Sequence, residues 1–315
     1  MYFPYLRGKQ FELLALRELA DLLGEKRDKV LPIVEPVKHS PSALRSAFAA
    51  LDREGVKFGL IMNPSVGALK KDPRLAVDLA ARSLEGFTNY CLTFLIDSQN
   101  FSSLGQTLDA MDYEKIRPSE CVLIHNEMTD LAAEETEHIE SFGPVVYNIV
   151  NFKRTSRRYF RSFPEETRVV LDDYFIGLEK NSAYVDQEDS QFSEDHLFYR
   201  SEGFVGFSDF LTIGETFSEG GFLPYAVAIH ISYVDSKGGI RVKHFVSHSN
   251  DDTTDVAGKF AEANSKLCNW VRGYDRPTRA LRTFVELNER QHFPGLGTIK
   301  KLMVMNHIEL VLSLI

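Results

Sequence analysis

The sequence predicts an α/β fold of the TIM-like (β/α)8 barrel type, irregular in its last units, with a C-terminal hairpin and helices packed alongside. Eight short apolar runs carry this prediction, and seven intervals between centres near residues 33 and 229 give a mean spacing of 28 residues. Apolar runs without polar alternation are typical of strands buried on both faces of a parallel sheet. The alternative is an open doubly wound sheet. The runs are 30–36, 58–63, 90–97, 121–126, 145–150, 168–173, 204–209 and 225–233.

The intervals between the early runs have helical patterns, as in segments 40–53 and 72–84. The regularity fails later, because segment 176–203 is acidic and poor in apolar residues, which predicts a long loop with a short helix instead of a full barrel helix. Residues 235–239 predict a hairpin turn into a strand over 240–247. Three helices are then predicted, over 254–272, 277–290 and 298–314.

These elements predict one structural unit. A barrel with an N-terminal strand and helix extension is expected over 1–250, and a C-terminal helical extension packed on it is expected over 251–315. The chain has 315 residues and a formal net charge of −9, which argues against a general nucleic-acid coat protein. Three scattered cysteines and the lack of a signal peptide favour the cytoplasm, and no apolar run is long enough to cross a membrane.

Polar side chains follow the predicted strands, at the ends that converge on one face of a barrel. The predicted catalytic residues are Glu35, Asp97, Asp172, Asp209 and His230. Asp97 and Asp172 are predicted ligands of Mg²⁺ or Mn²⁺. Glu35 is a ligand or a base, and His230 is a proton shuttle. If Val170 faces the core, counting by twos places Asp172 toward the interior, but three consecutive apolar residues (169–171) leave the alternation ambiguous. The alternative interpretation is that these carboxylates only cap the following helices.

Basic residues form two candidate anion-binding groups. Arg7 and Lys9 lie in an Arg-Gly-Lys turn before a predicted helix, where side chains and helix amides can bind an anion. Segment 153–161 has five cations, two aromatic residues and no acid, which indicates contact with nucleic acid or phosphate through Arg154, Arg157 and Arg158. The alternative is a solvated face that pairs with the acidic segment 165–219.

Motifs for ATP, dinucleotide cofactors and serine hydrolases are absent from the sequence. The opening residues 2–19 (YFPYLRGKQFELLALREL) and 31–36 (LPIVEP), together with 206–210 (GFSDF) and 224–231 (PYAVAIHI), resemble the phage beta-protein-like family. The resemblance implies a bacterial or phage protein that is often encoded among anti-phage defence genes, sometimes beside a small nuclease-like protein. It supplies no catalytic residues.

Two functions therefore remain open. One is a cytoplasmic defence hydrolase that cleaves a phosphodiester or nucleotide bond at an acidic site with a divalent metal. The other is a non-catalytic recognition or scaffold module, which senses a phage component or binds a nuclease-like partner.

Overall fold

The computed structural model describes residues 1–98, 101–114, 116, 120–129, 131, 133–219 and 223–315. The strands are β1 (Tyr2–Leu6), β2 (Ile33–Val34), β3 (Phe58–Ile61), β4 (Tyr90–Ile96), β5 (Cys121–His125), β6 (Val145–Asn151), β7 (Arg168–Asp172), β8 (Asp189–Ser193), β9 (Gly206–Asp209), β10 (Ala228–Val234) and β11 (Ile240–Val246). The α-helices are α1 (Gln10–Glu18), α2 (Ala20–Glu25), α3 (Pro41–Arg53), α4 (Pro73–Leu84), α5 (Phe101–Glu114), α6 (Ala133–Phe142), α7 (Arg157–Phe160), α8 (Asp195–Phe198), α9 (Val256–Val271), α10 (Arg279–Glu289) and α11 (Leu296–Leu314).

Within the described residues, eight strands close into a barrel in the order β1-β2-β3-β4-β5-β6-β7-β9, and every pair is parallel. The predicted barrel class is therefore confirmed. The runs predicted as the first neighbouring strands are β2 to β5, which pair in sequence order. Each of β3, β4 and β5 is an almost continuously buried apolar run, as a parallel strand covered on both faces must be.

The assignment of the eighth barrel strand is corrected. Run 225–233 contains β10, which pairs antiparallel with β11 instead of joining the barrel. The eighth barrel strand is β1, which pairs with β2 on one side and with β9 on the other. The sequence analysis treated this N-terminal strand as an extension. Its five residues include a proline, and all five are buried.

The chain divides into two compact units, and their boundaries differ from the expected 1–250 and 251–315. The barrel unit contains residues 1–172, 198–209 and 315, and the second unit contains 173–197 and 210–314. In the second unit, β11 lies between β10 and β8 in an antiparallel sheet. The predicted hairpin and the three C-terminal helices are present as β10–β11, α9, α10 and α11. Segment 176–203 contains the expected short helix as α8, and it also contains the strand β8, in which Phe192 is buried and which was not predicted.

Contacts across the barrel identify the side chains that face its interior. The rings of Phe3 on β1 and Tyr147 on β6 meet edge to face at 4.9 Å, although these strands are not neighbours. An added Cβ at Gly206 would lie 2.6 Å from the Phe3 ring. Because side chains alternate along each strand, Phe3, Tyr147 and Gly206 define the inward set, and residues two apart from them share it.

No helix in the described part of the chain is both long enough and apolar enough to span a bilayer.

Replacing Gly206 with alanine is expected to lower the free energy of unfolding by about 1–3 kcal/mol, because the new methyl group has no room in the packed interior. Its Cβ would also lie 2.6 Å from the backbone oxygen of Met1, which cannot rotate away. Denaturant unfolding measures the change. Gly105→Ala on α5 is the matched control, since nothing lies within 4 Å of its added Cβ. Equal stability of the two variants would contradict this account of the interior.

Candidate functional site

The barrel register separates the four predicted carboxylates into two pairs. Tyr5 belongs to the inward set and pairs with Ile33, so Glu35 points inward at the end of β2. Ile33 pairs with Gly59 on β3, and Gly59 pairs with Cys91 on β4, so Cys91 also points inward. Asp97 follows six residues later at the end of β4 and therefore shares this direction. Glu35 and Asp97 are both buried. Two of the predicted site residues therefore lie on the inner side of the barrel mouth.

Asp172 and Asp209 lie on the outer side, which corrects the expectation that Asp172 points inward. The two residues are register partners on β7 and β9, while Ser208, two residues beyond Gly206, belongs to the inward set. Val170 itself points outward, so counting by twos from it gives the wrong direction for Asp172. Three consecutive apolar residues on β7 gave no alternation that could reveal the face.

Each outward carboxylate has its own partner. Lys153 Nζ lies 2.7 Å from Asp172 Oδ1, and the hydroxyl of Tyr2 donates to Asp209 Oδ1 at 3.0 Å. Burial, followed by the charge of Asp209, raises the pKa of Tyr2 well above its ordinary value, so the phenol keeps the proton that it donates. These carboxylates therefore stabilise the barrel wall, and Lys153 neutralises Asp172.

Glu35 is held by a buried network that the sequence did not reveal. Its Oε2 accepts hydrogen bonds from the Tyr5 hydroxyl, at 2.6 Å, and from Arg7 Nη1. Its Oε1 accepts from the backbone amide of Ser65 at 2.7 Å and from the Ser65 hydroxyl at 2.9 Å. Both oxygens are thus engaged in four hydrogen bonds. The predicted base and the predicted anion-binding residue Arg7 neutralise each other.

The turn after β1 brings Arg7 to this network. Gly8 has a φ of +60°, and an added Cβ there would lie 2.9 Å from the backbone oxygen of Glu35. Only glycine fits both the left-handed backbone and the close approach. The backbone amide of Arg7 donates to Glu12 Oε2 at 2.6 Å, and Lys9 begins α1 as its N-cap residue.

The two predicted metal ligands are not brought together by the barrel register. Among the described side chains, no group of three or more His, Cys, Asp or Glu residues is arranged to hold a metal ion. The predicted ligands Asp97 and Asp172 belong to opposite sides of the barrel wall. Asp97 is the second inward carboxylate of the barrel mouth and takes no part in the four hydrogen bonds to Glu35.

His230 belongs to the second unit. It lies on β10 opposite His244 on β11, with 2.7 Å between the two Nδ1 atoms, and His244 Nε2 lies 3.1 Å from the Ser190 hydroxyl. Burial and the neighbouring His244 lower the pKa of His230 to about 3. At neutral pH this pair is uncharged and holds the sheet together through shared hydrogen bonds.

The histidine associated with the barrel mouth is His125, at the end of β5, which the sequence analysis did not select. Its Nε2 lies 3.0 Å from Asn148 Oδ1, and its Nδ1 lies 2.9 Å from the Tyr159 hydroxyl. Burial lowers the pKa of His125 to about 4. The Tyr159 hydroxyl lies 2.9 Å from both His125 Nδ1 and the backbone oxygen of Thr129, and its single proton is donated to one of the two. These contacts fix the position of Tyr159.

Tyr159 and its neighbour Phe160 anchor the basic segment 153–161 to the barrel. The hydroxyl of Ser156 accepts from the Tyr159 amide and begins α7, a single helical turn. The buried ring of Phe160 packs against Phe204 with 4.4 Å between centroids. These anchors hold the backbone of the segment while its arginine side chains remain outside.

Arg154, Arg157, Arg158 and Arg161 are all exposed. Within the described part of the chain, the guanidinium groups of Arg157, Arg158 and Arg161 form no ion pair. The contact between Lys153 and Asp172 is of the kind that the alternative interpretation, a face paired with acidic residues, expects. Arg154 lies near Glu127, whose pKa is lowered mainly by hydrogen bonds from Ser98 and further by this arginine.

No family model and no curated protein sequence matches this chain. Among solved structures, it is similar to a truncated form of 3-deoxy-D-arabino-heptulosonate 7-phosphate synthase from Thermotoga maritima. The two share 13% identity, with a TM-score of 0.37, and the match covers 66% of this chain and 74% of that one. We transfer no activity and no residue role from it.

Glu35→Gln is expected to lower the free energy of unfolding by about 3 kcal/mol, because it removes the carboxylate charge that pairs with the buried guanidinium of Arg7. Chemical denaturation measures the loss. The matched control is Glu54→Gln, since Glu54 forms an exposed pair with Arg53 at 3.1 Å and should cost less than about 1 kcal/mol. If both variants lose the same stability, the Arg7–Glu35 pair does not support the barrel mouth.

Proposed function

We propose that the barrel unit is a recognition module that binds single-stranded nucleic acid along segment 153–161. The observation that carries the proposal is the exposed guanidiniums of Arg157, Arg158 and Arg161, which form no ion pair among the residues that the structure describes. Guanidinium groups match the geometry of phosphate oxygens and bind them in pairs of hydrogen bonds. Asp172 is paired with Lys153, so its carboxylate does not compete with a phosphate for these arginines.

The segment is fixed to the barrel strands at both of its ends. It leaves the carboxyl end of β6, where the amide of Arg154 donates to the oxygen of Asn151 at 3.2 Å. It then passes along the barrel to β7, where Arg168 donates to the backbone oxygens of Phe163, at 2.7 Å, and Arg161. Phe152 at its start is 38% exposed and offers a ring on which a base can stack.

Recognition is favoured over hydrolysis by the state of the predicted catalytic groups. The carboxylates of Glu35, Asp172 and Asp209 are each held by a partner in the barrel unit. The resemblance to the phage beta-protein-like family suggests a role in anti-phage defence. In that setting the barrel would detect nucleic acid, and cleavage would fall to a nuclease-like partner.

Arg157→Ala, Arg158→Ala and Arg161→Ala are each expected to weaken binding to an unstructured single-stranded oligonucleotide. Each phosphate contact that is lost should reduce the slope of log K against log salt by about 0.7. Fluorescence anisotropy of a labelled oligonucleotide, measured across a salt series, gives both affinity and slope.

Arg53→Ala on α3 is the control for net charge, because this arginine is exposed and distant in sequence from the segment. It should leave the salt slope unchanged. The proposal is rejected if the three segment variants bind as the unmodified protein does, or if Arg53→Ala produces the same loss.

Hydrolysis of a phosphodiester or nucleotide bond is the second candidate, and Asp97 is the observation that favours it. This buried carboxylate points inward at the mouth, where it can act as a general base or bind Mg²⁺ or Mn²⁺ from solution.

If the barrel is a hydrolase, Asp97→Asn should reduce product formation by at least about a hundredfold. Glu54→Gln, which alters the exposed pair with Arg53 after α3, should leave the rate unchanged. Chromatography of oligonucleotides and nucleotides incubated with either metal detects the products. Absence of metal-dependent products from the unmodified protein would leave recognition as the function.

A further inference from the structure

The second unit has an open cleft beside the β10–β11 hairpin turn and the end of α9. Its volume is about 730 Å³, within the range of small-molecule sites. The lining residues all belong to the second unit. The lining residues are Tyr233, Val234, Asp235, Ser236, Trp270, Gly273, Tyr274, Asp275 and Arg276.

Aromatic rings form one wall of this cleft. Trp270 and Tyr274 stack with 4.7 Å between centroids and 23° between planes, and Tyr233 meets Trp270 edge-on at 5.5 Å. The Tyr274 hydroxyl accepts a hydrogen bond from the Val234 amide at 3.3 Å, which ties the stack to β10. All three rings are partly exposed. A planar ligand can therefore extend a stack that is already ordered.

Uncommitted polar groups surround the rings. Arg276, Asp275 and Ser236 are exposed, and within the described part of the chain their side chains have no hydrogen-bond or ion-pair partner. The fourth polar group, Asp235, is engaged by the turn, since its Oδ1 accepts from the amides of Lys237 and Gly239 at 2.8 and 3.0 Å. The cleft thus offers a guanidinium, a carboxylate and a hydroxyl to a ligand.

We propose that this cleft binds a nucleoside monophosphate. The base extends the Trp270–Tyr274 stack, the phosphate binds the guanidinium of Arg276, and the sugar hydroxyls donate to Asp275 and bind Ser236. A sugar without a base would leave the stack unused, and a base without a phosphate would leave Arg276 unused. The aromatic stack, the guanidinium of Arg276 and the polar side chains of Asp275 and Ser236 together favour a complete nucleotide over a base or a sugar phosphate alone.

Trp270 is the only tryptophan in the sequence, so its fluorescence reports directly on the cleft. The full chain is titrated with the monophosphates of adenosine, guanosine, cytidine and uridine, and separately with adenosine and with ribose 5-phosphate. At least one monophosphate should quench the fluorescence in a saturable way. Adenosine should require at least about tenfold more ligand than its monophosphate, and ribose 5-phosphate should give no quenching.

Arg276→Gln tests the phosphate contact without disturbing a bond in the described fold. It should raise the Kd for the monophosphate at least about tenfold and leave adenosine binding unchanged. Arg282→Gln, an exposed arginine on α10, is the matched control and should have no effect. The inference is overturned if no monophosphate quenches saturably, if phosphate adds nothing to adenosine affinity, or if the two arginine variants behave alike. Arg157→Ala should leave this titration unchanged, so the result is independent of the nucleic-acid proposal.

Discussion

Closure of the barrel by β1 is the constraint on which the rest of the barrel unit depends. β1 satisfies the backbone hydrogen-bonding groups along β2 and β9, which would otherwise be unpaired strand edges. Closure also fixes the alternation of every strand, because one register must be consistent around the whole ring. The Phe3–Tyr147 contact and the absence of a side chain at Gly206 show how little free space this leaves inside.

The same alternation decides which polar residues can act together. Glu35 and Asp97 are carried to the inner side of the mouth, whereas Asp172 and Asp209 are carried to the outer side. A buried charge is tolerated only with a partner, and each of Glu35, Asp172 and Asp209 has one nearby. Most of the acidic residues at the strand ends thus stabilise the barrel. The arginines of segment 153–161 are therefore the stronger candidates for ligand binding.

The arginines keep their charge available because the segment is anchored by other side chains. Tyr159 is bonded to Thr129 and to the neutral His125, and Phe160 is packed on Phe204. These contacts hold α7, although a single helical turn is too short to be stable alone. The second unit uses aromatic residues in a similar way at Trp270 and Tyr274, where ordered rings leave nearby polar groups exposed. The two proposed sites therefore have separate chemistry and separate tests.

The sequence by itself determined the barrel class, the strands β2 to β7 and β9, the β10–β11 hairpin, the three C-terminal helices and the basic character of segment 153–161. These features depend on local apolar runs, turn residues and charge, which are visible along the chain. Only the tertiary structure decided that β1 closes the barrel and that β10 lies outside it, since both are apolar strands and pairing depends on partners distant in sequence. It also decided the direction of Asp172, because three consecutive apolar residues before it (169–171) do not show which face is buried. Finally, it decided the pairing of Glu35 with Arg7, Tyr5 and Ser65, because contacts between residues up to 30 positions apart depend on how the strands are aligned.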